Sequence, residues 1–231
     1  MPFQPGQTPL AVVPNLEEIL FDYACRGAYD DFWARECNDF ERNFHRHADI
    51  PGTFTGGWFD PFSSAMTGYY AAMAQKNTTP QRLIMGPWTH MGMRDDATYT
   101  GDVDFGPESV WGLDYYFESM ARFFDRWLKD ESTGVDDEPP VRLFVMGGGS
   151  GCKTPDGKLD HAGRWRTEHE WPLARTQPTP YYFHRDGGLN TAMPDEDSSP
   201  LQYLYDPEHP VPTLGGNHCG IMDLPSYEAK L

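Results

Sequence analysis

Basic residues are scarce in this chain: 18 Lys+Arg stand against 35 Asp+Glu in 231 residues, a net charge of -17 with a pI near 4.7. A surface of that sign repels a phosphate backbone, so nucleic acid is not an expected partner. Long apolar runs are missing as well. None approaches the roughly 20 residues of a membrane-spanning helix, and no membrane partner is expected. The first residues, Met1-Pro2-Phe3-Gln4-Pro5-Gly6, lack the basic head and apolar core of a secretory signal, which makes the cytoplasm the expected setting. Cysteine is sparse. Cys25, Cys37, Cys152 and Cys219 form no C-x-x-C and no metal-ligand spacing, so free thiols in a reducing compartment are expected rather than a disulfide frame. The glycine clusters at 56–57, 147–149 and 215–216 are followed by no Gly-Lys-Ser/Thr, which excludes a phosphate loop.

What is present is ample apolar material, 39% hydrophobic and 14% aromatic residues, enough to exclude a disordered or fibrous chain. Residues 15–24 and 27–46 read as helices; in the second, Tyr29, Phe32, Trp33, Phe40 and Phe44 recur at three- and four-residue steps among charges. Residues 51–58 and 81–85 read as strands, and between them Ala65, Met66, Tyr69, Tyr70 and Met73 follow helical spacing over 62–75. Strand, helix, strand in that order implies a parallel sheet with a crossover helix. A polar loop then leads to an amphipathic helix at 113–128, whose Leu113, Tyr116, Phe117, Met120, Phe123, Phe124, Trp127 and Leu128 are expected to pack into a core. A charged, Pro-rich link at 129–140 precedes short β-type segments at 141–146, 165–171, 179–184 and 201–205, as in an all-β sandwich.

The loops after the two expected strands carry the chemistry. Gly56-Gly57-Trp58-Phe59-Asp60 ends in a carboxylate and Gly86-Pro87-Trp88-Thr89-His90 in an imidazole. A serine hydrolase needs a base for the hydroxyl proton and a carboxylate to orient and stabilise the imidazolium. In α/β-hydrolases they follow the nucleophile in the order Ser, Asp/Glu, His, and Asp60 and His90 stand in that order. Each alone has an ordinary structural role: Asp60-Pro61 could open a helix with Pro at its first position, and a lone His is commonly a hydrogen-bonded structural residue. The matched settings favour the pair as catalytic. The 59 residues before Asp60 contain no G-x-S-x-G elbow. Gly148-Gly149-Ser150-Gly151-Cys152 imitates it, with Cys152 in place of the last glycine and on the wrong side of acid and base, so Ser150 is not expected to be the nucleophile. His45 and His47, two residues apart, cannot share a helix face as a metal pair, and His218-Cys219 has no partner at ligand spacing.

These motifs resemble those of the cocaine-esterase and Xaa-Pro dipeptidyl-peptidase-like hydrolases, whose members carry the triad acid in Gly-Trp-Tyr/Phe-Asp and the base in Gly-Pro-Trp-x-His. The likeness extends to Tyr29-Asp30-Asp31-Phe32-Trp33, similar to the end of the family's helical cap. Phe123-Phe124-Asp125-Arg126-Trp127-Leu128 resembles the helix that closes its hydrolase domain, and Val141-Arg142-Leu143-Phe144-Val145-Met146-Gly147 the start of its C-terminal jelly roll. The resemblance implies an α/β fold: the C-terminal part of an α/β-hydrolase domain with the end of its cap (residues 1–135), then an incomplete β-sandwich jelly roll (136–231). It implies a nucleophile and an oxyanion hole (the amide after the nucleophile and a tyrosine hydroxyl) outside this sequence, in an enzyme about two- to threefold longer.

The expected activity is cleavage of esters or amide and peptide bonds through an acyl-enzyme, with Asp60 and His90 catalytic and this chain alone inactive. Trp58, Phe59 and Trp88 are candidates for lining the acyl pocket, with packing beneath the loops as the competing role. No cofactor or metal is required. The expected partners are a small ester or amide substrate and either the nucleophile-bearing half or a second copy of the chain. The rival readings are a non-catalytic β-sandwich binding module, presenting aromatics such as Tyr181, Tyr182 and Tyr203, and one chain of a complementing pair. Asp60 is followed by Pro61-Phe62-Ser63-Ser64, with no nearby acid to hold an ammonium, so a neutral acyl group is expected over an aminoacyl one.

Overall fold

The computed structural model describes residues 4–35, 37–90, 97–194, 200 and 202–210. The chain divides after Ala48 into two compact units. In the first, a 3-10 turn at Pro9–Val12 is capped by Thr8, whose Oγ1 accepts from the Leu10 amide at 3.1 Å, and helix α1 (Pro14–Cys25) opens with proline in its first turn. The helix expected over 27–46 is instead a series of turns and a 3-10 helix at Glu41–Arg46. Side chains draw the backbone out of the helical pattern. Asp30 Oδ1 accepts from the Phe32 amide at 2.9 Å, and Asn38 Nδ2 donates to the Phe32 carbonyl at 2.8 Å. The aromatic spacing serves a local cluster: Phe32 is buried edge-on to Tyr23 and Trp33, with Arg26 and Arg35 over its ring.

The second unit begins with strand β1 (Gly52–Gly57), helix α2 (Ser63–Lys76) and strand β2 (Gln81–Gly86), as the periodicity predicts. A small hairpin follows, β3 (Tyr99–Thr100) and β4 (Val103–Asp104), then helix α3 (Leu113–Lys129). The later strands are β5 (Val141–Met146), β6 (Leu159–Asp160), β7 (Gly163–Glu168), β8 (Tyr182–Phe183) and β9 (Leu189–Asn190). The main sheet has the order β1-β2-β5-β7, with the first three parallel and β7 antiparallel to β5. A parallel sheet is covered on both faces, and here alternate residues of β2 serve two cores. Leu83 and Met85 join Tyr70 of α2, Val141 and Leu143 on one face; Ile84 joins Trp88 and Trp111 on the other, with Tyr116 of α3 packed against them.

β5 is the third parallel strand of the sheet that carries β1 and β2, and Val141 and Leu143 are buried beside Leu83 and Met85. The link at 129–140 is tied down by Val135, which is buried, and by Glu138, which pairs with Arg82 and Arg122. Two expectations need correction. First, α3 does not bury its whole apolar stripe. Phe123 is buried, but Leu113, Phe117, Phe124 and Leu128 are exposed, because the stripe is wider than the surface facing it in this chain. Second, residues 202–205 form no strand, and Tyr203 and Leu204 are 85% and 93% exposed. The architecture is therefore α/β followed by a β-rich part, the latter comprising β7, the β8–β9 hairpin and β6, which joins β3 and β4 in a second sheet.

Candidate active site

Because β1 and β2 are parallel, their following turns leave the same edge of the sheet, and the ladder continues into them. Trp58 N donates to Gly86 O at 2.8 Å and Phe59 N to Trp88 O at 3.0 Å. The two motifs' glycines have a steric cause. A Cβ on Gly57 would lie 2.0 Å from the Trp88 carbonyl oxygen, and one on Gly86 2.3 Å from the Trp88 indole. Only a residue without a side chain lets these turns cross so closely.

This crossing brings Asp60 and His90, 30 residues apart, into contact: His90 Nδ1 lies 3.1 Å from Asp60 Oδ2. Asp60 is buried, 8% exposed, and its other oxygen accepts from the Phe62 amide at 2.8 Å. Asp60 thus bonds the turn before α2 as well as the histidine, but α2 starts at Ser63, so Pro61 does not stand at its first position. A carboxylate can only accept, so the hydrogen bond assigns a proton to Nδ1, and in the neutral ring Nε2 keeps its lone pair. The His90 side chain is 37% exposed against 11% for Asp60, so the acid is sheltered and the base is reachable.

The three aromatic candidates hold this arrangement from below. Trp88 is 5% exposed and packs against Trp111 and Trp165 with ring centroids 5.6 and 5.8 Å away. That enclosure makes it core rather than pocket wall. Trp58 Nε1 donates to the Phe144 carbonyl of β5 at 2.9 Å, and the Phe59 ring lies 5.6 Å from Phe105. The hairpin adds a further tie, from Thr100 Oγ1 to the Pro87 carbonyl. Phe62, which the motif reading passed over, touches both polar residues, since its ring lies 5.3 Å from the imidazole. The available signal was its place two residues after an Asp, where a side-chain-capped turn puts the bonded amide.

The other candidates lie elsewhere. Ser150 Oγ donates to Asp160 Oδ2 at 2.7 Å and its amide donates to the same oxygen at 3.0 Å. His47 packs edge-on to Phe40, and His218 and Cys219 lie outside the described residues. Cys25, Cys37 and Cys152 are free and exposed. Among the described residues no group of three or more His, Cys, Asp or Glu is placed to hold a metal ion, and no helix is long and apolar enough to cross a membrane.

Residues 5–92, which contain both Asp60 and His90, match the X-Pro dipeptidyl-peptidase (S15) family, and residues 133–214 match the X-Pro dipeptidyl-peptidase C-terminal non-catalytic domain. Over 174 residues the chain is 33% identical to the cocaine esterase of Rhodococcus sp. (strain MB1 Bresler), an alignment covering 72% of this chain and 27% of that protein. The crystal structure of an aminopeptidase from a marine-sediment Thaumarchaeota archaeon matches with a TM-score of 0.61 and 26% identity, over 88% of this chain and 31% of that one. The chain belongs to the cocaine-esterase and X-Pro dipeptidyl-peptidase-like family. It spans 27% of the esterase's length. Within that family assignment, Asp60 and His90 fall in the peptidase match and β5 through β9 in the non-catalytic match.

Proposed function

We propose that this chain supplies the acid and base, Asp60 and His90, of a Ser-His-Asp triad in a hydrolase of esters or amide and peptide bonds, and that the serine comes from polypeptide outside this sequence. The observation that carries the reading is the 3.1 Å contact between a buried carboxylate and a partly exposed imidazole, held by turns that cross at Gly57. Asp60 keeps the proton on Nδ1, so Nε2 takes the proton of the attacking serine hydroxyl as its oxygen bonds to the substrate carbonyl carbon. The charge that develops on the ring is stabilised by Asp60. His90 then returns the proton to the departing alcohol or amine, leaving an acyl-enzyme. In the second half it takes a proton from water as the water oxygen attacks the acyl carbon, then gives that proton to the departing serine oxygen, which releases the acid and restores the serine.

On this reading residues 1–135 belong with the hydrolase domain, and residues 136–231 begin a jelly-roll domain. Trp58 and Phe59 brace the turns. The acyl group next to the pair is neutral: Pro61-Phe62-Ser63-Ser64 follow Asp60 without an acid, and the Phe62 ring lies 5.3 Å from the imidazole, an apolar neighbour that offers an ammonium no partner.

The test uses the chain as it is. Given an activated ester, it hydrolyses no faster than its His90→Ala variant, because the base has no serine to activate. Turnover by the chain alone that disappears in His90→Ala would place the nucleophile inside these residues and overturn the proposal.

A further inference from the structure

We propose that Phe62 is a positioning residue for the Asp60–His90 pair, a role that rests on the triad reading above. Phe62 makes two separate contacts with the pair. Its backbone amide donates to Asp60 Oδ1 at 2.8 Å, which fixes the carboxylate so that Oδ2 faces the imidazole. Its ring meets the His90 ring with centroids 5.3 Å apart and planes at 66°, an edge-to-face pairing. The backbone geometry commits the residue to that place. Phe62 precedes α2, and the Ser63 amide donates to the Asp60 carbonyl at 3.0 Å, so Asp60 through Ser63 form one bonded turn.

Phe62 is 50% exposed beside this hydrogen-bonded acid and base. A large apolar ring left half in water adds little to the core, and no core cluster contains it. Among the described residues its ring pairs with the imidazole. The imidazole is held by one hydrogen bond to Asp60 and is 37% exposed at the side chain. A ring packed on it restricts its rotation and holds Nδ1 toward Asp60 and Nε2 toward the place where a serine would approach. Orientation of this kind acts on the reacting geometry, so it affects turnover more than binding.

The experiment reads the tautomer of His90 directly, by ring-nitrogen NMR of the 231-residue chain. In the unaltered chain Nδ1 carries the proton. Phe62→Ala and Phe62→Leu keep the backbone amide but remove the aromatic contact, and both are expected to lower the Nδ1-protonated share toward the free-imidazole mixture, in which Nε2–H prevails. Phe62→Tyr restores it. Because the ring is half exposed, all three variants are expected to fold, and circular dichroism checks that they do. An unchanged tautomer in folded Phe62→Ala and Phe62→Leu overturns the proposal. So does a loss that Phe62→Tyr fails to reverse. The triad reading fails on a different result: a hydrolase containing this chain that keeps its turnover after His90→Ala, even where the Phe62 variants shift the tautomer as described.

Discussion

The turns after β1 and β2 present Asp60 and His90 to each other, whereas the turn after β5 presents Ser150 to Asp160. All three strands are parallel, so all three turns leave the same edge of one sheet. In the first two, the backbones are bonded to each other and the polar side chains meet across the crossing at 3.1 Å. In the third, Gly147, Gly148 and Gly151 take left-handed φ values of +114°, +97° and +68°, and the loop folds back on the residues just before β7, with Gly149 N bonded to the His161 carbonyl at 2.9 Å. Its serine hydroxyl satisfies a carboxylate and accepts from the Cys152 amide at 3.2 Å. A place at the carboxyl edge of a sheet makes a side chain available for chemistry; its bonded neighbours decide whether it performs any.

The strongest way to break this comparison is kinetic. In a hydrolase that unites this chain with a serine elbow, His90→Ala is expected to lower turnover about 10³-fold or more, and Asp60→Asn about 10⁴-fold, since an amide would favour the wrong tautomer. Ser150→Ala is expected to stay within about twofold, the range of an ordinary surface change. Steady-state kinetics on one activated ester measures all three. A collapse in Ser150→Ala would make the third turn the reactive one.

A smaller effect separates the turns by their glycines. A Cβ on Gly57 meets the Trp88 carbonyl oxygen at 2.0 Å, and one on Gly149 meets the Asp160 carbonyl oxygen at 2.5 Å. Neither backbone atom can step aside cheaply, so Gly57→Ala and Gly149→Ala are each expected to destabilise the chain by about 2–3 kcal/mol in denaturant melts. They differ in what else moves. Gly57→Ala prises apart the turns that hold the acid and the base, and should lower the Nδ1-protonated share of His90; Gly149→Ala should leave it alone. Equal effects on His90 would mean that the edge of the sheet responds as one body.

The sequence made the first two turns legible because both motifs pair a glycine with a functional residue inside a clear strand-helix-strand pattern. Residues 52–57, 63–76 and 81–86 have the periods their elements need, and the apolar run of β2 is what a strand covered on both faces requires. Less was legible where side chains compete with the backbone: the helical spacing of Tyr29 to Phe44 was real, but Asp30 and Asn38 bond the main chain locally and the aromatic residues cluster around turns. For β5 the strand was legible and its partner was not. Its β propensity identifies a strand, but pairing with β2 rather than with a later strand alone depends on Val141 and Leu143 meeting Leu83 and Met85, which no local pattern contains. The apolar stripe of α3 shows the same limit, since periodicity marks Phe123 and Phe124 alike and only the first is buried.

The gentlest probe of the comparison is acid. The Ser150 amide, and after it the Ser150 hydroxyl, hold the Asp160 carboxyl below its ordinary value of 3.8. Asp49 offers a reference far from that turn: its oxygens accept from the hydroxyls and amides of both Thr78 and Thr79, which hold it well below the same value. For a carboxylate depressed in the folded state, the associated stability is fully present above the unfolded value and is lost as pH falls through the folded one. Both groups therefore make the chain acid-sensitive in the window below 3.8. Ser150→Ala removes the hydroxyl bond and keeps the amide bond, so carboxyl-carbon NMR should show Asp160 rising part of the way toward 3.8 while Asp49 stays where it was. If Asp160 does not move, the hydroxyl is not what occupies the carboxylate. Ser150 would then be free to turn toward other partners at the edge of the sheet, and the contrast between the third turn and the first two would lose its physical basis.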